Sequence, residues 1–456
     1  MGMAGVRTAP AARPGIGSDL MFRFIVPVAI AGAAAMLLAA DAPAQEAPAR
    51  PGVDAPELAA LGPHPVGVTD VEFVQPGQED PLQGKDRPAV SDRHLPLKIW
   101  YPAAAPGAGT TYRSALPGEN GADVPFTVAG IASPDARAAE GRFPLVILAH
   151  GYSNTPEVLS WLGENLASKG YVVVAPAFRD PSINIRTAAA AAGPLARRPL
   201  DIAFAAAEAQ RRARTGQGIF AMADGDRTAV IGYSMGGYGA LAAAGAPLDP
   251  GLTAATRGVL APYVAGGVRA GELKIADLKA AVAIAPPRAL RGANMWAAPG
   301  LAAISVPTLF IVGSQDHVVG YDPGVRSLFA EEVHAPRYLL TFREAAHSIA
   351  LIGAPPEMRG SFWDKDWFED AVWRKDRLMA VEAHFITAFL DRYVKGDQAK
   401  AAYIDGLVPN SNDGVWAAAP PGRYAGYSPG PPAATVWKGF QPSKASGMSF
   451  EFRPAE

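Results

Sequence analysis

Apolar and polar positions alternate in Leu95-Pro96-Leu97-Lys98-Ile99-Trp100-Tyr101, the pattern of a strand with one face buried, and residues 66–74 read as a second strand. The polar, Gly- and Pro-containing segment 75–93 joins them as a hairpin. From Phe143 the pattern changes to short unbroken apolar runs separated by helical stretches. Runs at 144–149, 171–175, 227–231, 280–285, 307–313 and 338–342 read as buried strands. Between them, 157–169 and 199–214 read as helices, the second with Pro199 in its first turn, and the small residues of 239–244 read as a third. Strands buried on both faces and alternating with helices predict an α/β fold: a mostly parallel central sheet flanked by helices, preceded by antiparallel strands. Residues 375–394 form a long amphipathic helix that packs on this sheet. Residues 246–279, rich in Gly and Ala with no clear strand, fit either a small cap over a pocket or an ordinary helical connection. Residues 405–456, rich in Pro, Gly and aromatics, predict an irregular tail packed on a domain spanning 64–404.

The amino-terminal region has a different pattern. Arg23 precedes an apolar stretch over 24–40, and Ala42-Pro43-Ala44 offers a small-residue cleavage site before Gln45. This predicts a signal peptide over 1–44, with Met1 or Met21 as its start, and a flexible linker over 45–63. A membrane anchor is the alternative reading of the same run; the richness in Ala and Gly favours cleavage, giving an exported protein, periplasmic or secreted. No later segment is apolar enough to span a bilayer. Charged residues make up 18% of the 456, with a net charge of −2 and no Lys/Arg run, which argues against a nucleic-acid partner. The chain contains no cysteine, so disulfides, thiolate metal sites and a cysteine nucleophile are excluded. No His/Asp/Glu cluster has metal-ligand spacing, and a metal is not expected.

The chemistry centres on Gly232-Tyr233-Ser234-Met235-Gly236-Gly237, between a strand and a small-residue helix. A serine on so sharp a turn needs neighbours without clashing side chains, which Gly232 and Gly236 supply. The turn aims the Ser234 hydroxyl out of the sheet and leaves the Met235 amide facing a developing oxyanion. A serine hydroxyl needs a base, and the base needs an orienting acid; in this elbow architecture both follow the serine in the chain. Of seven histidines, only His317, His334, His347 and His384 lie beyond Ser234. His384 falls inside the long helix and His334 in a helix-to-strand link. His347 sits in the loop after the strand at 338–342, where a base overhangs the carboxyl edge of the sheet. Asp316 lies just past the end of the strand at 307–313 and is the candidate acid, with His317 beside it in a supporting or structural role. His150-Gly151-Tyr152 follows another strand end: Gly151 lets the backbone turn toward the serine, the Tyr152 amide becomes the second oxyanion donor, and His150 braces the loop.

With these pieces the chain resembles the α/β-hydrolase superfamily. It is most similar to the branch of dienelactone-hydrolase-like and platelet-activating-factor-acetylhydrolase-like serine esterases. The resemblance is carried by Pro65-Val66-Gly67-Val68, Leu97 to Pro102, Ala149-His150-Gly151, Leu166 to Tyr171, Arg198-Pro199-Leu200-Asp201, the elbow, and Gly313-Ser314-Gln315-Asp316. It implies a Ser234/Asp316/His347 triad, an acyl-enzyme and no cofactor. Dienelactone hydrolases themselves use a cysteine nucleophile, which this chain lacks. The segment Phe362-Trp363-Asp364-Lys365-Asp366-Trp367-Phe368 lies outside the shared motifs; it either shapes a substrate pocket or packs a surface. The leading expectation is an exported carboxylic-ester hydrolase acting on small-molecule esters with short-chain or small acyl or aromatic groups. A peptidase or amidase with the same triad, and a non-catalytic ligand-binding relative, are the competing classes.

Overall fold

A computed structural model describes residues 51–415, 435–441 and 443–456. The leader expected over 1–44 lies outside the described residues, as do the linker up to residue 50 and the tail segment 416–434. β1 (Val66–Asp80) and β2 (Ala89–Pro102) make the expected hairpin but run further along it, past an irregularity between Gln75 and Gln78. A second hairpin follows, β3 (Thr111–Pro117) and β4 (Asp123–Ala129), and a two-residue β5 (Ser133–Pro134) pairs with β1. The alternating part then runs β6 (Phe143–Ala149), α1 (Ser160–Ser168), β7 (Val172–Pro176), α2 (Ala188–Arg214), β8 (Ala223–Tyr233), α3 (Met235–Ala244). It continues through α4 (Leu252–Ala255), β9 (Leu278–Ile284), the minimal hairpin β10 (Ala289–Leu290) and β11 (Ala293–Asn294), β12 (Thr308–Gly313), α5 (Arg326–Glu331) and β13 (Arg337–Phe342). α6 (Phe362–Phe368), α7 (Lys375–Tyr393) and β14 (Met448–Arg453) complete it.

Ten strands form one sheet in the order β14-β13-β12-β9-β8-β6-β7-β2-β1-β5. The six from β7 to β13 are parallel, while β2 joins β7 and β14 joins β13 antiparallel. The two-residue period of a strand divides the core. In β6, Val146 and Leu148 face the cluster with α1 and α7, and Leu145, Ile147 and Ala149 face the cluster with α2 and α3. Covering both faces removes these side chains from water, each contributing about 1.5–3 kcal/mol. No helix among the described residues is long and apolar enough to cross a membrane.

Two expectations are corrected. α2 does not begin at Pro199 but at Ala188, capped by the Thr187 hydroxyl, which accepts from the Ala190 amide, and it carries Pro194 and Pro199 in its interior. The run Ala188 to Ala192 has the highest helix propensity available, and at Pro199 a partner from another helix replaces the lost bond. Pro199 cannot donate to the Leu195 carbonyl, and the Tyr238 hydroxyl of α3 donates to it instead at 3.1 Å. The carboxy-terminal region is not wholly irregular: Met448-Ser449-Phe450-Glu451-Phe452-Arg453 alternates apolar and polar positions and closes the β13 edge. Residues 246–279 pack against the α2 and α3 side of the core through Leu248, Leu252 and Leu260, as a connection between α3 and β9.

Candidate active site

The site is built on strand ends. β8 stops at Tyr233, and the chain reverses through Ser234 into α3 with Ser234 at φ 54°, ψ −119°. Such backbone costs a side-chain-bearing residue about 1–3 kcal/mol, so its surroundings must enforce it. The Ser234 amide donates to the Ile284 carbonyl at the end of β9, at 2.8 Å. A Cβ at position 232 would lie 2.0 Å from the Gly236 carbonyl oxygen, and one at 236 would lie 2.1 Å from that of Ala149. Both glycines are therefore sterically required.

Asp316 follows β12 and is buried, while His347 hangs from the loop after β13. His347 Nδ1 lies 2.7 Å from Asp316 Oδ2, and His347 Nε2 lies 3.0 Å from Ser234 Oγ. The other Asp316 oxygen accepts from the Val318 and Val319 amides at 2.9 and 3.0 Å. Burial pushes the Asp316 carboxyl up, but His347 and these two amides outweigh it and hold the group below the usual aspartate range. An anionic Asp316 fixes Nδ1 as the protonated nitrogen and leaves Nε2 to accept from Ser234. The Tyr233 ring packs 5.3 Å from the His347 ring, and its hydroxyl donates to the His347 carbonyl at 3.2 Å. From α7, Lys375 Nζ donates to the Ser348 carbonyl, tying down the same turn. His317 is exposed, and His334 bonds the Ala302 carbonyl at the surface. His384 is buried in α7, where it accepts from the Leu58 amide.

On the other side of Ser234, Gly151 approaches so closely that a Cβ there would meet the Ser234 Cβ at 3.2 Å. Neither the Tyr152 nor the Met235 amide has a hydrogen-bond acceptor among the described residues. His150 Nδ1 donates to the Gly151 carbonyl at 2.8 Å, and its Nε2 accepts from the Phe178 amide. Burial, with Arg198 adding to it, pushes the His150 pKa down to about 3, so the ring is neutral. Arg198 holds the loop from beneath. It donates to the His150 and Gly151 carbonyls and grips Asp180 with both terminal nitrogens at 2.9 and 2.5 Å. Asp180 in turn accepts from the Ser153 amide at 2.9 Å. Arg198 stood inside one of the resemblance motifs, but nothing in its own neighbourhood of the sequence indicates that it reaches Asp180.

The rim comes from connecting segments linked by hydrogen bonds. Ser348 Oγ donates to the Trp367 carbonyl of α6, and Trp367 Nε1 donates to Asn154 Oδ1 at 3.2 Å. Asp364 of α6 accepts from the Glu119 amide in the β3–β4 turn, and Asn184 donates to the Gly118 carbonyl of that turn. Arg291, at the tip of the β10–β11 hairpin, donates to the Ile185 and Thr187 carbonyls. The aromatic segment 362–368, left open between pocket and packing, therefore joins the His347 side of the site to the loop after β6.

The chain matches the PET hydrolase-like family over residues 131–264, a stretch that carries His150 to Tyr152 and the whole elbow. Among solved structures 488 chains match. One is a ferulic acid esterase from Streptomyces cinnamoneus, at 20% identity, covering 75% of this chain and 94% of that chain with a TM-score of 0.49. No curated protein matches the chain. The sheet, the serine elbow and the family match together define the class: an α/β-hydrolase fold and a serine esterase, a carboxylic-ester hydrolase.

Proposed function

We propose that the protein hydrolyses small carboxylic esters through an acyl-enzyme, with Ser234 as nucleophile, His347 as base and Asp316 as its orienting acid. The observation that carries this reading is the line Asp316 Oδ2–His347 Nδ1 at 2.7 Å and His347 Nε2–Ser234 Oγ at 3.0 Å. His347 Nε2 takes the hydroxyl proton as Ser234 Oγ bonds to the ester carbonyl carbon. The negative charge moves to the carbonyl oxygen, which accepts from the Tyr152 and Met235 amides. His347 returns the proton to the leaving alkoxide, releasing the alcohol and the acyl-enzyme. Water then repeats the sequence: His347 takes its proton, its oxygen attacks the acyl carbon, and the proton passes to Ser234 Oγ as the acid departs. Asp316 keeps imidazolium favourable in both halves. Similarity to PET hydrolase-like proteins supports aromatic diesters and polyester-derived oligomers as substrates beside short-chain acyl esters. The leader-like amino terminus supports export.

The test is hydrolysis of p-nitrophenyl acetate, butyrate and octanoate and of bis(2-hydroxyethyl) terephthalate, by wild type and Ser234→Ala. Turnover abolished by the substitution is expected; turnover retained overturns Ser234 as nucleophile. Fractionation of expressing cells tests export, and a wholly cytoplasmic protein of full mass refutes it.

A further inference from the structure

We infer that the Asn154 side-chain amide is a third hydrogen-bond donor to the carbonyl oxygen of the reacting ester, and that the Trp367 indole aims it. The inference deepens the esterase reading above and rests on it. Between Tyr152 and Asn154 the chain turns sharply. Ser153 stands at φ 54°, a left-handed conformation that a residue with a side chain keeps only where its surroundings enforce it. Two bonds do so: the Ser153 amide donates to Asp180, and Ser153 Oγ accepts from the Ile183 amide at 3.3 Å. After this turn Asn154 lies back against Gly151. A Cβ at position 151 would lie 3.2 Å from the Ser234 Cβ and 3.3 Å from Asn154 Nδ2. The amide nitrogen and the nucleophile's side chain thus border one methyl-sized volume, next to the Tyr152 amide.

The chemistry of the indole decides which end of the amide faces the serine. Trp367 Nε1 lies 3.2 Å from Asn154, and an indole N–H can only donate, so the atom that meets it is Oδ1. Nδ2 is left on the Gly151 side, where it has no acceptor among the described residues. Asn154 is 8% exposed, and a side chain so buried ordinarily spends both ends of its amide. Asn165, buried in α1, does: its Nδ2 donates to the Ala59 carbonyl and its Oδ1 accepts from Lys169. Asn154 instead keeps two N–H donors uncommitted beside the nucleophile. Trp367 is itself held from the base side, its carbonyl accepting from Ser348 Oγ, so the loop that carries His347 also fixes the aim of this amide. As Ser234 Oγ bonds to the carbonyl carbon, the π pair of the carbonyl moves to its oxygen. Asn154 Nδ2–H donates to that oxygen beside the Tyr152 and Met235 amides and transfers no proton. Such a donor gains most where the charge is fullest, so its effect falls on kcat.

The experiment compares p-nitrophenyl butyrate with its thiono counterpart, in which sulfur replaces the carbonyl oxygen, for wild type, Asn154→Ala and Trp367→Phe of the full chain. Sulfur is a weak acceptor, so a donor to the oxyanion contributes far less on the thionoester. Asn154→Ala is expected to lower kcat on the oxoester by roughly 100-fold with KM within about twofold, and kcat on the thionoester by no more than about tenfold. Trp367→Phe keeps an aromatic ring and the 151–154 sequence, and removes the N–H that aims the amide. It should lower kcat on the oxoester about fivefold and again spare the thionoester. Equal losses on both esters in Asn154→Ala would reduce Asn154 to a brace of the loop and overturn the inference, as would an unchanged kcat. Should calorimetry show that variant unfolded, Trp367→Phe decides, and equal losses or none there refute the inference. Failure of the esterase reading has a separate signature: wild type itself would not hydrolyse p-nitrophenyl butyrate.

Discussion

Replacing Arg198 with methionine should both destabilise the fold and slow catalysis, and a second substitution separates the two effects. The Arg198 side chain is 0% exposed and the Asp180 side chain 2%, so removing the cation strands a carboxylate in the interior. It also deprives the His150 and Gly151 carbonyls of their shared donor. Breaking a buried pair on one side costs about 3–5 kcal/mol. With about 2.1 cal/mol/K of unfolding entropy per residue, that lowers the melting temperature of a domain this large by roughly 5 °C. The loop that loses its brace presents the Tyr152 amide, and if that amide serves as the proposed oxyanion donor, loosening it should lower kcat on p-nitrophenyl butyrate by about 10- to 100-fold. Arg198→Met with Asp180→Asn removes the stranded charge while keeping an acceptor for the Ser153 amide. Calorimetry should show the melting temperature of the double variant returning most of the way, while kcat stays low. A single variant that melts like wild type refutes the reasoning, and so does a double variant no more stable than the single.

Gly313→Ala would place a Cβ 2.3 Å from both the Ala345 and Ala346 carbonyl oxygens, so it should displace His347 and lower kcat by about 100-fold or more; near-normal kcat refutes it. Lys375→Met removes a buried ammonium, whose pKa burial pushes down to about 8, and frees the Ser348 carbonyl. Stability should change little while kcat falls by about tenfold at constant KM, and unchanged kcat is the contrary result. His384 is held neutral by burial, its pKa pushed down to about 3, so the unfolded chain takes up a proton below about 6.5 that the folded chain refuses. The stability this gives is complete above pH 6.5 and is lost progressively toward pH 3. His384→Gln should therefore make the fall in unfolding free energy shallower by about 1.4 kcal/mol per pH unit across that window, measured by urea denaturation. Parallel curves for the two proteins would overturn it.

What the sequence revealed and what it concealed follow from the range of the interactions involved. The parallel strands were legible because burial on both faces leaves runs such as Leu145-Val146-Ile147-Leu148 with no polar break. The elbow was legible because its spacing is local: Gly232 answers the Gly236 carbonyl of the same turn, although Gly236 answers that of Ala149 on a neighbouring strand. Asp316 and His347 could be located because strand ends can be located. The start of α2 was misread because Pro199 marks a helix start only when nothing replaces its missing donor, and the replacement, Tyr238, comes from another helix. β14 was missed although its alternation was present, because the Pro- and Gly-rich residues before it dominate the composition of the region. The bonds from Arg198 to the His150 and Gly151 carbonyls, Lys375 and the linked rim join segments far apart in the chain, and no local pattern records which side chains meet across a fold.

Strand order explains why these three residues meet. β13, which carries the His347 loop, is three places from β8, which carries Ser234, in the order β13-β12-β9-β8. At about 4.8 Å per strand that is roughly 14 Å, more than twice the reach of a histidine side chain, so the loop must run back over the end of β12. Asp316 stands at that end, and a histidine brought across it toward the serine presents Nδ1 to the acid and Nε2 to the hydroxyl. The crossing is recorded at Gly313, the last residue of β12, where two carbonyls of the returning loop occupy the space of a Cβ. Tyr233 and Lys375 then fix the loop from below, one through the His347 carbonyl and one through that of Ser348. The tautomer and aim of the proposed base are thus consequences of sheet topology. The rim is held by side chains from connections outside these strands, and substrate preference is where a change of sequence there would be felt first.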